Sequence, residues 1–194
     1  MIELEKEFLD ELRRIDTLAQ VSSLLGWDEQ VNLPSGSASS EQRATQRSEI
    51  ATLRHQRLTS PILAEQLQDL EQQPVDDNLR VILREVRREL ERARGIPAEF
   101  VARKVAHASK SYHIWENARA RSDFASYIPA LEETLNLARQ EAALIGFEEN
   151  PYNYHLDKHD PGMEVASIAM LFDELQVGLI PLAQRILELA EKAN

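Results

Sequence analysis

Apolar residues recur every three or four positions along nearly the whole chain, and no stretch alternates with the period of two that a half-buried strand requires. The first segment carries Leu4, Phe8, Leu12, Ile15, Leu18, Val21 and Leu25 as one stripe over six turns. Gly26 then stands where a left-handed residue would stop the helix. Beyond a loop at Trp27–Gly36, Ser39 or Ser40 is positioned to cap a second helix reaching Leu58, with the weak stripe Ala44, Ile50, Leu53 and Leu58. Ser60-Pro61 reads as an N-cap followed by proline in the first turn, opening a short helix through Leu63, Leu67 and Leu70 that Pro74 closes.

Asp76 or Asp77 starts the next helix, with Leu79, Ile82, Leu83, Val86 and Leu90 on one side and Gly95 at its end. Pro97 opens another, carrying Phe100, Val101, Ala108, Tyr112 and Trp115. Ser122-Asp123 caps a sixth, in which Pro129 marks the first turn and Leu131, Leu135, Ala138, Ala142 and Ile145 lead to Gly146. Residues 146–163 read as irregular, long enough to be functional or packed as an element in their own right. A last helix from about Glu164 carries Ile168, Leu171, Phe172, Leu175, Leu179, Leu182, Ile186 and Leu189, with Pro181 expected to kink it. The fold class is therefore all-α: six or seven helices of similar length in a multi-helix, largely antiparallel assembly. Without a fixed-period repeat it is no solenoid. The whole of 1–194 is taken as a single helical region.

Composition narrows the function classes. At 194 residues, 43% hydrophobic and 28% charged, the chain has the makeup of a globular domain. A formal net charge of −11 argues against a nucleic-acid partner, because neutralising phosphates needs a basic face. No cysteine is present, which excludes disulfides, thiolate metal ligands and a cysteine nucleophile and fits a cytoplasmic location. The apolar runs fall short of a membrane span and the acidic N-terminus has no signal-peptide plan, so no membrane partner is expected. The final residues remain in helical register; Asn194 could act as C′, but the ending also reads as a cut.

Separated segments then fall into one order. Leu25-Gly26-Trp27-Asp28 with Leu33-Pro34 comes first, then Arg57-Leu58-Thr59-Ser60-Pro61, then Arg84-Glu85-Val86-Arg87-Arg88-Glu89 with Ile96-Pro97. Trp115-Glu116-Asn117-Ala118-Arg119 follows, with Ser122-Asp123-Phe124, Pro129 and Leu131-Glu132, then Pro151-Tyr152 and Asp160-Pro161-Gly162-Met163. The series resembles the M32 metallocarboxypeptidases of the carboxypeptidase Taq type, with Leu33 in place of the usual Met and Asp160 in place of Glu. The resemblance implies the N-terminal part of a neurolysin-like zincin fold, in which a deep groove holds one divalent metal, zinc or cobalt. Such enzymes remove C-terminal residues from peptides and often dimerise. Metal-bound water attacks the carbonyl with the Glu of His-Glu-x-x-His as base.

No histidine of this chain is followed by Glu, and the family's His-Pro-Phe and Asp-x-Arg-x-Thr motifs are absent. The resemblance therefore assigns no catalytic, cofactor-binding or metal-binding residue here. It implies a scaffold forming one wall and cover of the groove, inactive alone, with a peptide substrate and zinc or cobalt only alongside the catalytic part. The alternative is a non-catalytic helical module that homodimerises or binds a partner.

Local candidates have blander readings. His155 and His159, with Asp157 or Asp160, have metal-like spacing, but Leu156 stands where a zincin has its Glu and functional zinc needs three or four fixed ligands. Arg80, Arg84, Arg87, Arg88, Arg92 and Arg94 form a basic stripe interleaved with Glu85, Glu89 and Glu91, as on a solvated or inter-helix face. Trp115 is expected in the core with Tyr112 and Phe100. Trp27 and Asp28 are expected to anchor and cap the crossing of the first two helices.

Overall fold

The structure, a computed structural model, describes residues 2–33, 37–147 and 149–193. Among these residues it is all helix, with eight elements: α1 (Ile2–Val31), α2 (Ser37–Leu58), α3 (Pro61–Glu71), α4 (Asp77–Arg94), α5 (Ala98–Ala120), α6 (Phe124–Leu144), α7 (Pro151–His159) and α8 (Val165–Ala193). They group into two compact units, residues 1–145 and 146–194.

In the first unit, local chemistry sets most boundaries. The Ser60 side chain accepts from Leu63 N–H with Pro61 at the helix start, and the Asp76 carboxylate accepts from Leu79 N–H. Each satisfies a backbone donor that the helix itself leaves unpaired. Asp123 caps α6 in the same way, through Ser126 N–H. Because that cap nucleates the helix at Phe124, Pro129 lies inside α6 rather than at its first turn. Gly146, the first residue of the second unit, follows α6 with φ +89, a conformation that side chains disfavour.

The core of this unit joins four helices. Phe8 and Ile15 of α1, Leu58 of α2, Leu63, Leu67 and Leu70 of α3, and Leu79, Leu83, Val86, Leu90 and Ala93 of α4 form one cluster. Four of these leucines, Leu63, Leu67, Leu70 and Leu90, are wholly inaccessible. Each stabilises the fold by about 1.5–3 kcal/mol relative to an exposed side chain.

α2 packs mainly against α5 and α1, although few apolar residues lie on its buried face. Its buried face consists of Ser40, Arg43, Ala44 and Leu58, so it is held by polar contacts as much as by burial. The face of α6 also differs from expectation. Ala142 is buried as expected and Leu131, Ala138 and Ile145 are half-buried, but Leu135 is exposed and Ala130, Leu137 and Glu141 are buried. The rotation follows from polar contacts to α5: Lys104 pairs with Glu141, and His107 Nε2 reaches Ala130 O at 3.2 Å and Thr134 Oγ1 at 2.9 Å.

Gly26 does not stop α1. The helix runs on through Trp27 to Val31, and Gly26 sits where an added Cβ would lie 3.5 Å from the Arg47 guanidinium of α2. A glycine inside a helix costs about 1 kcal/mol relative to alanine. The contacts of Asp28 and Glu29, two and three residues further on, outweigh that cost, as described below. Pro34 lies outside the described residues.

The second unit contains α7 and α8. Residues 151–159, expected to be irregular, form a nine-residue helix because Pro151 occupies its first turn, where no N–H is needed. Tyr154 is buried against the Phe147 ring at 5.7 Å. Asp157 Oδ1 accepts Gly162 N–H at 2.8 Å, and Asn153 Oδ1 accepts Val165 N–H at 2.9 Å, closing the turn into α8. α8 continues through Pro181. It departs from the sequence reading in one respect: among the described residues, Val165–Ala190 is long and apolar enough, by length and composition alone, to cross a bilayer. The polar residues that break its apolar runs are spaced widely enough for the average to remain high.

Candidate functional site

The stretch from Leu25 to Asn32 organises a polar junction where α1, α2 and α5 meet. Asp28 and Glu29 are adjacent in the last turns of α1, while Arg43 and Arg47 lie one helical turn apart on α2, as do Ser109 and His113 on α5. A four-residue spacing puts both members of a pair on one face. Arg43 donates from Nη2 to Asp28 Oδ2 at 2.6 Å and from Nη1 to the Leu25 carbonyl at 2.6 Å. Asn32 Nδ2 donates to Asp28 Oδ1 at 3.0 Å. The Asn32 amide and the Arg43 guanidinium together hold the Asp28 carboxyl below the usual carboxylate range.

Glu29 is the centre of the junction and is 3% exposed. Arg47 Nη1 donates to its Oε2 at 2.5 Å, and the fully buried Ser109 hydroxyl donates to its Oε1. His113 Nε2 approaches the same Oε1 at 3.3 Å without hydrogen-bond alignment, while its Nδ1 lies 3.7 Å from Glu116 Oε2. A buried carboxylate is tolerable only when it is paired and hydrogen-bonded in this way. The arrangement ties three helices to one anion and contains no activated nucleophile. Its physical role is a clamp. Asp28 anchors the crossing as expected, but Trp27 does not, being 57% exposed.

A cleft of about 380 Å³ opens between α5 and α6, lined by Lys104, His107, Ser111, Tyr112, Trp115 and Tyr127 among others. Trp115 belongs to this wall, 38% exposed with Arg119 stacked 5.5 Å over its ring, and is not the core residue expected from its periodicity; Phe100 is buried. A larger cleft of about 630 Å³ lies between α1, α2 and α3, where Arg57 Nη1 contacts both Glu11 carboxylate oxygens at 2.8 and 3.1 Å.

The arginine stripe of α4 is paired as expected of a solvated and inter-helix face. Arg80 meets Asp77, Arg84 and Arg88 meet Glu85, Arg87 meets Glu71 of α3, and Glu89 receives Arg54 of α2. The bidentate Glu71 contact pushes the Arg87 pKa up further. On α2, burial pushes the His55 imidazole below its usual value, against a raising hydrogen bond with the Ile96 backbone.

His155 and His159 share a face of α7, since the segment is helical. Asp157, however, is engaged with Gly162 N–H, and among the described residues no three His, Asp or Glu side chains gather as a metal site requires. The described side chains therefore do not fit the divalent metal that the zincin resemblance implies.

Thermostable carboxypeptidase 1 of Pyrococcus furiosus is 32% identical over 186 residues, covering 94% of this chain and 36% of that protein. Its Thermus thermophilus namesake is 33% identical over 195 residues, covering 94% and 38%. Among solved structures, the BsuCP crystal structure superposes with a TM-score of 0.87 at 28% identity, covering 94% of this chain and 37% of that one. Trypanosoma cruzi metallocarboxypeptidase 1 gives 0.77 at 25% identity, covering 100% and 39%. The chain thus spans little more than a third of the curated relatives it matches. Residues 7–194 match the family described as carboxypeptidase Taq (M32) metallopeptidase, and the chain belongs to that family.

Proposed function

We propose that these residues are the helical scaffold forming one wall and cover of the substrate groove in a zinc-dependent metallocarboxypeptidase that removes C-terminal residues from peptides. By themselves they are hydrolytically inactive. One observation carries the reading: the family match fills nearly the whole chain, yet spans only 36–38% of the Pyrococcus and Thermus relatives. The peptide substrate and the zinc or cobalt belong, in this reading, to the part not spanned. A cytoplasmic location goes with it and is supported by the cysteine-free sequence.

The test is release of a free amino acid from an N-blocked dipeptide by the purified chain, with zinc or cobalt added. The expected result is no release above the blank. Hydrolysis that a chelator abolishes, zinc restores and His159→Ala removes would overturn the proposal in favour of an independent metal site on α7.

A second reading is a non-catalytic dimerisation or partner-binding module built on the same scaffold. The exposure of large apolar side chains along α8 favours it, since such surface promotes association. Sequencing the native gene past Asn194 separates the two. A continuing frame with His-Glu-x-x-His supports the scaffold, and a stop codon supports the module.

A further inference from the structure

We propose that the cleft between α5 and α6 is a side-chain subsite for tyrosine in the peptide that this wall of the groove meets, an inference that rests on the scaffold reading above. The cleft begins in the sequence. Along the face that α5 turns to the cleft, the small side chains of Ala108 and Ser111 stand between the large ones of Lys104 and Trp115. Two packed helices cannot close over such a step. The hollow left is about 380 Å³, within the roughly 300–1,000 Å³ that small-molecule sites occupy. Ser111 and Leu137 at its base are only 6% and 1% exposed. Both walls belong to the first unit, so the hollow is a property of the α5–α6 pair itself.

The lining decides what fits. Tyr112, Trp115 and Tyr127 give the cleft aromatic walls, the first two with ring centroids 5.8 Å apart and planes tilted by 39°. Such walls favour a further ring, edge-on or offset, over an aliphatic side chain of the same area. The charged groups around the cleft are already engaged. Lys104 pairs with the buried Glu141, and Arg119 lies 5.5 Å over the Trp115 ring. His107 Nε2 meets the Ala130 carbonyl, which can only accept, so that nitrogen carries a proton and is held by α6. An anionic ligand would have to take Lys104 from Glu141. A cationic one would meet Lys104 and Arg119 beside the rings. A neutral ring meets neither obstacle.

One polar group at the base remains open. Despite its burial, the Ser111 hydroxyl forms no hydrogen bond among the described residues. A hydroxyl both donates and accepts, so it can take a polar group that the ring brings with it. Tyrosine supplies both parts, a flat apolar body and a hydroxyl at its far end. Phenylalanine supplies the ring alone, and leucine supplies neither. In the scaffold reading the wall meets peptide, so the ring has to enter attached to a peptide backbone. A free phenol has the same ring chemistry, and the experiment separates the two sources.

The experiment titrates the full 194-residue chain with the blocked peptide acetyl-Ala-Ala-Tyr-Ala-amide, its Phe and Leu counterparts, and p-cresol as the free phenol. The readout is the indole N–H resonance of Trp115, with Trp27, which is exposed and outside the cleft, as internal control. The expected result is a saturable shift at Trp115 alone. The Tyr peptide should bind about threefold or more tighter than the Phe peptide, the scale of one hydrogen bond. The Phe peptide should exceed the Leu peptide by a similar factor, about threefold, the scale of one ring contact. Ser111→Ala should bring the Tyr and Phe peptides level. Ala108→Leu, at an exposed position of α5, should fill the cleft and abolish the shift with the far-UV circular dichroism unchanged. The proposal is overturned if the Tyr peptide gives no saturable shift, or if the Phe or Leu peptide binds as tightly. It is equally overturned if p-cresol binds and the Tyr peptide does not, if the preference for Tyr survives Ser111→Ala, or if the shift survives Ala108→Leu. Each of these removes the subsite and leaves the scaffold reading standing. Hydrolysis by the isolated chain removes the scaffold reading itself.

Discussion

Glu29→Gln isolates the contribution of the three-helix clamp. The substitution keeps the side-chain shape and removes the charge. The single amide oxygen can accept from Arg47 or from Ser109 but not from both, so one buried donor faces an N–H₂ group. Leaving a buried donor unsatisfied costs about 1–3 kcal/mol, and breaking a fully buried ion pair costs about 3–5 kcal/mol. Arg47 retains 24% exposure, which places the loss at the low end of the second range. A destabilisation of about 3 kcal/mol follows, which for a chain of this size lowers Tm by about 6–12 °C. Urea unfolding followed by far-UV circular dichroism measures it, with thermal scans in parallel. Since the molecule has two units, the transition of the larger one is the quantity to compare. The double variant Glu29→Gln/Arg47→Gln should lose less than the sum of the single losses by about 1 kcal/mol or more, the signature of residues in contact. A Glu29→Gln protein within about 0.5 kcal/mol of wild type, the range of an ordinary surface substitution, would refute the clamp.

Four further outcomes follow from other parts of the molecule. Asp28→Asn should be less stable than wild type at neutral pH. Because the folded pKa of Asp28 is depressed, the difference is full above about pH 4 and fades as pH falls through the folded value; a gap in urea midpoints that does not change with pH would contradict it. The His55 pKa is lowered by burial, so the unfolded state takes up protons first. Stability should decline as pH drops below about 6.5 toward the folded value, and His55→Gln should flatten the profile in that window. Leu67→Ala, at a wholly buried site, should cost about 2–5 kcal/mol, while Leu135→Ala on the exposed side of α6 should stay within about 0.5 kcal/mol, both read from chemical denaturation. Gly26→Ala should raise stability by about 0.4–1 kcal/mol, because the new Cβ meets only the Arg47 guanidinium at 3.5 Å; a lower Tm would mean that α2 cannot accept it.

What the sequence by itself determined was the local order of the chain. The caps at Ser60, Asp76 and Asp123 and the glycine stop at Gly146 are backbone chemistry within a few residues, so their positions are legible without the fold. The leucines of α3 and α4 announce the core by spacing alone. The family is legible for a related reason, since its motifs fall largely at these same turns and helix ends. Tertiary structure decided the rest, because each outcome depended on a partner distant in sequence. Gly26 stays helical because Asp28 and Glu29, just beyond it, meet Arg43 and Arg47 fifteen or more positions away. α6 turns its Glu141 face inward because Lys104 and His107 of α5 are there to receive it. Trp115 lines a cleft, and periodicity cannot distinguish a wall from a core. The Glu29 junction left a faint trace, pairs of polar residues at a spacing of four on α2 and α5. Such pairs are also common on solvated helix faces, and only packing three helices together shows that these close around a single buried carboxylate.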